Sequence, residues 1–183
     1  MSAEQLKQRD AMQRLTDFLN EVGMLRHTPR SGYKFLGSGQ ETVAEHSHRT
    51  TVIGYVLAKK TGADAARTVM LCLFHDLPEA RTGDFNYVNR LYDTSREREA
   101  LEDAVEGTGL ERDIMSIWDE HACRTTPESL LAHDADQLDL ILNLKRESDL
   151  GNRYADKWLE SAVERLRTDI AKELAQTILK TDH

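Results

Sequence analysis

Two acid–base residues close an otherwise apolar stretch: Leu71-Cys72-Leu73-Phe74 runs directly into His75-Asp76-Leu77-Pro78-Glu79. Every position from Val69 to Phe74 is apolar, so the stretch reads as buried on all sides. An imidazole and a carboxylate there need partners, because a buried charge is costly unless it is paired or bound to a metal. Neighbouring residues on a helix point about 100° apart, so the pair can grip one ion only from a helix end or a distorted turn. Pro78 supplies such an end, since the residue before a proline is pushed out of the helical region. The same residues also fit an ordinary helix C-terminus, with His75 favoured by the helix dipole and Asp76 capping the next turn.

Other segments offer partners. His46 shares a helix face with Val43, Thr50, Ile53 and Leu57 and so projects from a core-facing stripe. Asp134, Asp136 and Asp139 interrupt an apolar segment, and Asp136 lies within about 60° of Ala132, His133, Leu140 and Asn143. A histidine on such a face is also an ordinary core residue, and Asp136 equally suits a basic partner such as Arg49. Together His46, His75, Asp76 and Asp136 would form a mixed nitrogen and oxygen set that suits Mn, Co, Fe, Zn or Mg. Four protein ligands leave water positions open on the larger octahedral ions, as hydrolysis requires. Glu79 and Asp84 are candidates to orient a water or protonate a leaving oxygen, and each is equally a solvated carboxylate.

The elements that must carry these residues read as helices. Met12, Leu15, Leu19 and Val22 recur at helical spacing before Gly23. Pro29 to Gly39 reads as a loop, and Thr42-Val43-Ala44-Glu45 is a capping-box signature for a helix to about Lys60. Asp64 to about Asp76 is the next helix, followed by a connecting loop from Arg81 to Thr94. Further capping boxes are expected at Thr94-Ser95-Arg96-Glu97 and Thr108-Gly109-Leu110-Glu111. Thr126-Pro127 opens a central helix through about Ser148 with a broad apolar face. One last helix is expected from Tyr154 to Leu179.

The chain has 183 residues, enough for one domain that buries about 70% of its unfolded surface. Three prolines, ten glycines and interleaved charges favour an all-α fold. A net charge of −8 with no basic stripe argues against a nucleic-acid polymer or an anionic membrane as partner. No apolar run reaches the roughly 18 residues of a membrane span, and the polar N-terminus is no signal peptide. Cys72 and Cys123 lie far apart, Cys72 within the apolar run, which fits a reducing cytoplasm.

The ordered set Glu45-His46-Ser47-x-Arg49, His75-Asp76-x-x-Glu79, Thr82-Gly83-Asp84 and Ala135-Asp136-Gln137 resembles the HD-domain metal-dependent phosphohydrolases, and within them the 5′-deoxynucleotidase branch. The likeness spans about Phe18 to Lys145, with 29 residues from His46 to His75 and 60 from Asp76 to Asp136. It implies a single-domain helical bundle over residues 1–183. It also implies that His46, His75, Asp76 and Asp136 bind one divalent metal, with Glu79 and Asp84 as the acid/base and water-orienting carboxylates. Pro29-Arg30-Ser31-Gly32-Tyr33 resembles a segment of the same relatives, which makes Arg30 a candidate to grip phosphate and Tyr33 to line the pocket. The family implies action on deoxynucleoside monophosphates and a homodimer, for which the C-terminal helix is one candidate element unless its stripe packs inward.

Departures from the pattern are few. Asp134 matches no ligand position, and His48 reads as a surface or pocket-rim residue. His121 is left out of a one-metal site; if it reached the metal, a binuclear centre would follow. His27, His133 and His183 read as structural or solvent-exposed. The ligand set specifies phosphoryl chemistry rather than the leaving group, so nucleoside triphosphates, cyclic nucleotides and non-nucleotide phosphates stay open as substrates. A binuclear iron oxygenase would need extra His or Asp ligands. A non-catalytic nucleotide-binding module would be expected to lack a ligand or carboxylate, and here all are present.

Overall fold

A computed structural model describes residues 3–181; His183 lies outside them. The elements are α1 (Ala3–Val22), a 3-10 helix (Gly23–His27), α2 (Tyr33–Leu36), α3 (Val43–Thr61), α4 (Ala65–Phe74), α5 (Glu79–Thr82), α6 (Asn89–Tyr92), α7 (Glu97–Val105), α8 (Glu111–Cys123), α9 (Pro127–Asp149), α10 (Arg153–Glu164) and α11 (Asp169–Lys180). Among the described residues extended pairing is confined to one isolated antiparallel bridge, Pro29 to Thr42. The all-α expectation holds.

Local signals start the longest helices. At α3 the Thr42 side chain accepts from the Glu45 N–H, and the Glu45 carboxylate accepts from the Thr42 N–H at 2.7 Å, so two donors at the helix start are satisfied reciprocally. Thr126 caps α9 in the same way with Ser129, and Pro127 occupies the first helical position, where a missing N–H costs nothing. Two expected capping boxes do not form. α7 begins after Arg96 with no side-chain cap. At α8 the Glu111 carboxylate accepts from the Gly107 N–H, and the Thr108 hydroxyl accepts from the Leu110 N–H, so both residues stabilise the preceding turn instead. The expected loops carry short helices, α2 in the first and α6 in the second, and α5 runs into the start of the second at Arg81 and Thr82.

α9 is the centre: α3, α4, α10 and α11 all pack on it. Leu138, Ile141 and Leu144 are fully buried there with Leu57 of α3 and Leu71 of α4. Burial of each such side chain contributes about 1.5–3 kcal/mol. A second cluster gathers Phe18, Leu25, Val43, Leu77, Leu101, Val105 and Ile114 under α1, α7 and α8. α3 and α4 approach closely at Gly54, where an added Cβ would lie 2.4 Å from Cys72 Sγ. That contact needs glycine, and it holds together the two helices that carry His46 and His75.

The single C-terminal helix is in fact two. Buried Asp134 of α9 accepts from the backbone N–H groups of Arg167 and Thr168 at 2.9 and 2.7 Å, and from the Thr168 hydroxyl at 2.6 Å. The carboxylate satisfies the free donors at the start of α11, so the chain turns there although the apolar repeat continues across it. The stripe through Ala155, Leu159, Ala162, Leu166, Ala171, Ala175 and Ile178 is buried, so it packs inward rather than offering a dimer face.

Candidate metal centre

α4 ends at Phe74, and the chain continues through a turn closed by the Glu79 N–H donating to the Asp76 carbonyl at 3.0 Å. In this turn His75 and Asp76 serve one cluster: His75 Nε2 lies 3.2 Å from Asp76 Oδ2. The Asp76 carboxylate faces that cluster and does not cap the next turn, which rests on a backbone contact. His46 Nε2 approaches from α3, 3.3 Å from His75 Nε2 and 3.5 Å from Asp76 Oδ2. Asp136 Oδ1 approaches from α9, 3.2 Å from His46 Nε2. The four residues read as ligands from their spacing are therefore brought together. His46, His75 and Asp136 can each offer an atom within 4.8 Å of the others.

The outer nitrogens decide what the cluster needs. His46 Nδ1 lies 2.7 Å from Asp139 Oδ2, and His75 Nδ1 lies 2.7 Å from the Cys72 carbonyl oxygen. Both partners only accept, so each Nδ1 carries a proton, and in the neutral ring each Nε2 turns a lone pair inward. Two lone pairs and two carboxylates at 3.2–3.5 Å require positive charge between them. The donor set, mixed nitrogen and oxygen and without thiolate, fits a divalent cation.

The same demand appears as proton affinity. At His46, burial and Arg30 oppose the charged form, but hydrogen bonds to Asp136 and Asp139 overcome both and lift the ring to about 9. At His75 burial is again outweighed, here by Asp76, and the shift is upward. Burial would raise Asp136, yet His46 holds it well below the ordinary carboxylate range.

Two further carboxylates lie beside the cluster. Glu79 is buried at the start of α5, with Oε2 unpartnered among the described residues. Burial first, then the charges of Asp76 and Asp84, push its carboxyl above the usual range. Asp84 Oδ2 accepts from the Ser31 N–H at 2.6 Å, which ties its loop to the segment carrying Arg30. Arg30 Nη1 donates to Asp76 Oδ2 at 3.0 Å, and Nε stands 4.0 Å from Asp84 Oδ2. Burial opposes the guanidinium charge, but Asp76, Asp136 and Asp84 keep it protonated.

Arg30, Tyr33, Asp84 and Asp136 line one cavity of about 620 Å³ with Tyr87 and Trp158. Tyr33 packs over Gly39, whose positive φ of 79° and lack of a Cβ both suit the contact. Tyr87 and Trp158 meet edge to face at 6.1 Å, giving the cavity an aromatic wall.

The other polar residues sort themselves. Asp134 faces the α10–α11 turn, not the cluster. His48 is exposed. His133 stands 3.3 Å from the Arg165 carbonyl, and His27 accepts from Arg26. The His121 ring is 5.2 Å from that of His75, and burial, then His75, lower it to about 4. It does not join the His46-His75-Asp136 donor group. Sequence reasoning missed the role of Asp139, which spans His46 and Arg49; Arg49, weighed as a partner for Asp136, belongs to Asp139 instead. The available signal was the spacing of Asp136 and Asp139, three residues apart on one helix face. Glu41 was also missed: it lines the cavity and accepts from Asn143 at 3.0 Å.

Comparison with known proteins gives the family. The sequence matches the HD domain family over residues 22–178. It is 29% identical over 145 residues to the 5′-deoxynucleotidase HDDC2 of Bos taurus, covering 76% of this chain and 70% of that protein. It is 29% identical over 147 residues to a 5′-deoxynucleotidase of Enterobacter sp. (strain 638), covering 70% of this chain and 73% of that one. A conserved hypothetical protein from Pyrococcus furiosus superposes with a TM-score of 0.74 at 26% identity, covering 89% of this chain and 96% of its own. The chain belongs to the HD-domain family of hydrolases.

Proposed function

We propose that the protein is a metal-dependent phosphomonoesterase that hydrolyses deoxynucleoside 5′-monophosphates to nucleoside and phosphate. The observation that carries this is the placing of Arg30 against Asp76, at the junction of the metal-type cluster and the aromatic-walled cavity. A phosphate there meets a guanidinium able to give it two parallel hydrogen bonds, while the nucleoside extends toward Tyr33, Tyr87 and Trp158. The matches to 5′-deoxynucleotidases support the same substrate class.

In this reading His46, His75, Asp76 and Asp136 hold one divalent metal ion. Such an ion supplies a Lewis acid for a phosphate oxygen and makes a water acidic enough to attack near neutral pH. Arg30 orients the phosphate and offsets charge on its outer oxygens as the bond to the ester oxygen breaks. Asp84, fixed by the Ser31 N–H, orients the attacking water. Glu79, kept protonated by burial and by the charges of Asp76 and Asp84, donates its proton to the leaving 5′-oxygen. Tyr33 bounds the sugar side of the pocket. The reading includes a homodimer, supported by the exposed apolar side chains Val52, Tyr55 and Val56 on α3 and Leu73 on α4.

Phosphate release from dAMP, dGMP and dTMP, the matching ribonucleotides, a nucleoside triphosphate, a cyclic nucleotide and a sugar phosphate tests it, with Mn, Co, Mg, Zn and Fe run in parallel. Turnover of deoxynucleoside monophosphates is expected for the wild type and its loss in Asp76→Ala and Glu79→Ala. Wild-type turnover in either variant, or preference for another phosphate ester, overturns the assignment.

A further inference from the structure

Asp136 has two oxygens, and they face different partners. Oδ1 lies 3.2 Å from His46 Nε2, within the cluster, whereas Oδ2 accepts from the side-chain amide of Gln137 at 2.7 Å. The Gln137 carbonyl oxygen in turn accepts from Arg165 Nε at 2.5 Å. Both neighbours enforce one orientation of the amide. A guanidinium has no acceptor and a carboxylate has no donor, so the amide must show oxygen to Arg165 and nitrogen to Asp136. A flipped amide would set donor against donor and acceptor against acceptor.

Arg165 is itself held. It lies just past α10, where its Nη1 donates to Ser161 Oγ at 3.0 Å. Its carbonyl oxygen meets His133 Nε2 at 3.3 Å, and the next two residues are bound by Asp134. Three residues of α9 thus clamp the α10–α11 turn, and the turn returns a guanidinium to the residue beside Asp136. The segment that follows α9 therefore reaches the centre through one side chain.

We propose that Gln137, set by Arg165, is a positioning residue that reserves one oxygen of Asp136 for the metal. This rests on the reading of Asp136 as a ligand. With Oδ2 engaged, Asp136 offers Oδ1 alone, and a carboxylate that donates one oxygen leaves more of the coordination sphere to water and substrate. Loss of the amide frees the carboxylate to rotate, and outer partners of this kind are worth about 10- to 100-fold in metal affinity.

The test uses Co(II) alone, with full-length protein and no substrate, reading affinity by titration calorimetry and coordination by the visible absorption of the bound ion. Gln137→Met keeps side-chain length and removes the amide. It is expected to bind Co(II) about 10- to 100-fold more weakly, with an altered spectrum. Arg165→Met, at a half-exposed wall where folding is little affected, is expected to shift both in the same direction. The double variant is expected to be no weaker than Gln137→Met, because Arg165 acts only through the amide. Wild-type affinity and spectrum in Gln137→Met overturn the inference. Additive losses in the double variant overturn the relay. A wild-type protein that takes up no Co(II) overturns the metal reading itself, and this inference with it.

Discussion

Asp139 Oδ2 stands 2.7 Å from His46 Nδ1, so a carboxylate three residues beyond Asp136 on the same helix fixes which nitrogen of His46 faces the cluster. Its other oxygen accepts from Arg49 Nε, and the residue is almost fully buried. Asp139→Asn keeps the shape but has one acceptor for two donors. Its NH2 either opposes Arg49 or turns the His46 ring to the tautomer with a proton on Nε2, aimed into the metal position. Titration with Mn(II) should give an affinity lower by about 10- to 100-fold. An unchanged affinity would refute the orienting role.

Arg30 is expected to hold phosphate by geometry as well as charge. Arg30→Lys retains the positive charge beside Asp76 but loses the fork of donors. The expected outcome is a fall in kcat/KM for deoxynucleoside monophosphates of roughly 10- to 100-fold, the worth of one charged hydrogen bond. Co(II) affinity measured without substrate should stay within a few-fold. A loss of metal binding equal to the loss of activity would mean that Arg30 serves the cluster and not the substrate.

Asp134 is expected to be a stability residue despite lying two positions from Asp136. It is fully buried and takes three hydrogen bonds from Arg167 and Thr168. Asp134→Asn turns an amide donor toward those donors and should cost about 3 kcal/mol. For a chain of this size that lowers Tm by roughly 6–12 °C. Well below the transition, metal affinity should stay near wild type. Selective loss of metal binding with an unchanged Tm would instead make Asp134 part of the centre.

These residues also mark what a sequence can disclose. The starts of α3 and α9 were readable because each depends on residues within one turn, Thr42 with Glu45 and Thr126 with Pro127. The break between α10 and α11 was not, because its cause is Asp134, 33 residues upstream of Arg167, while the local apolar repeat runs on. The four cluster residues stood out because His75, Asp76, His46 and Asp136 are ionisable groups on apolar faces. Asp139 and Gln137 lie beside the same cluster, yet in sequence they look like any polar residue on a long helix. Their roles depend on Arg49 and Arg165, which only the packing of α3 and α10 on α9 brings near.

His133 gives the fold a pH dependence of definite sign. Burial, then Arg124, lower its pKa from the ordinary histidine value, so the folded state binds a proton less readily than the unfolded chain. Above the unfolded value of about 6.5 the ring is neutral in both states and stability is unaffected. As pH falls below that value the unfolded chain takes up the proton first, and stability is lost. His133→Gln keeps an amide donor within reach of the Arg165 carbonyl but cannot titrate. Guanidinium unfolding from pH 8 to pH 5 should therefore show a smaller loss of stability in the variant than in the wild type, with the two curves running parallel above about pH 7. Curves parallel over the whole range would mean that His133 does not carry this dependence.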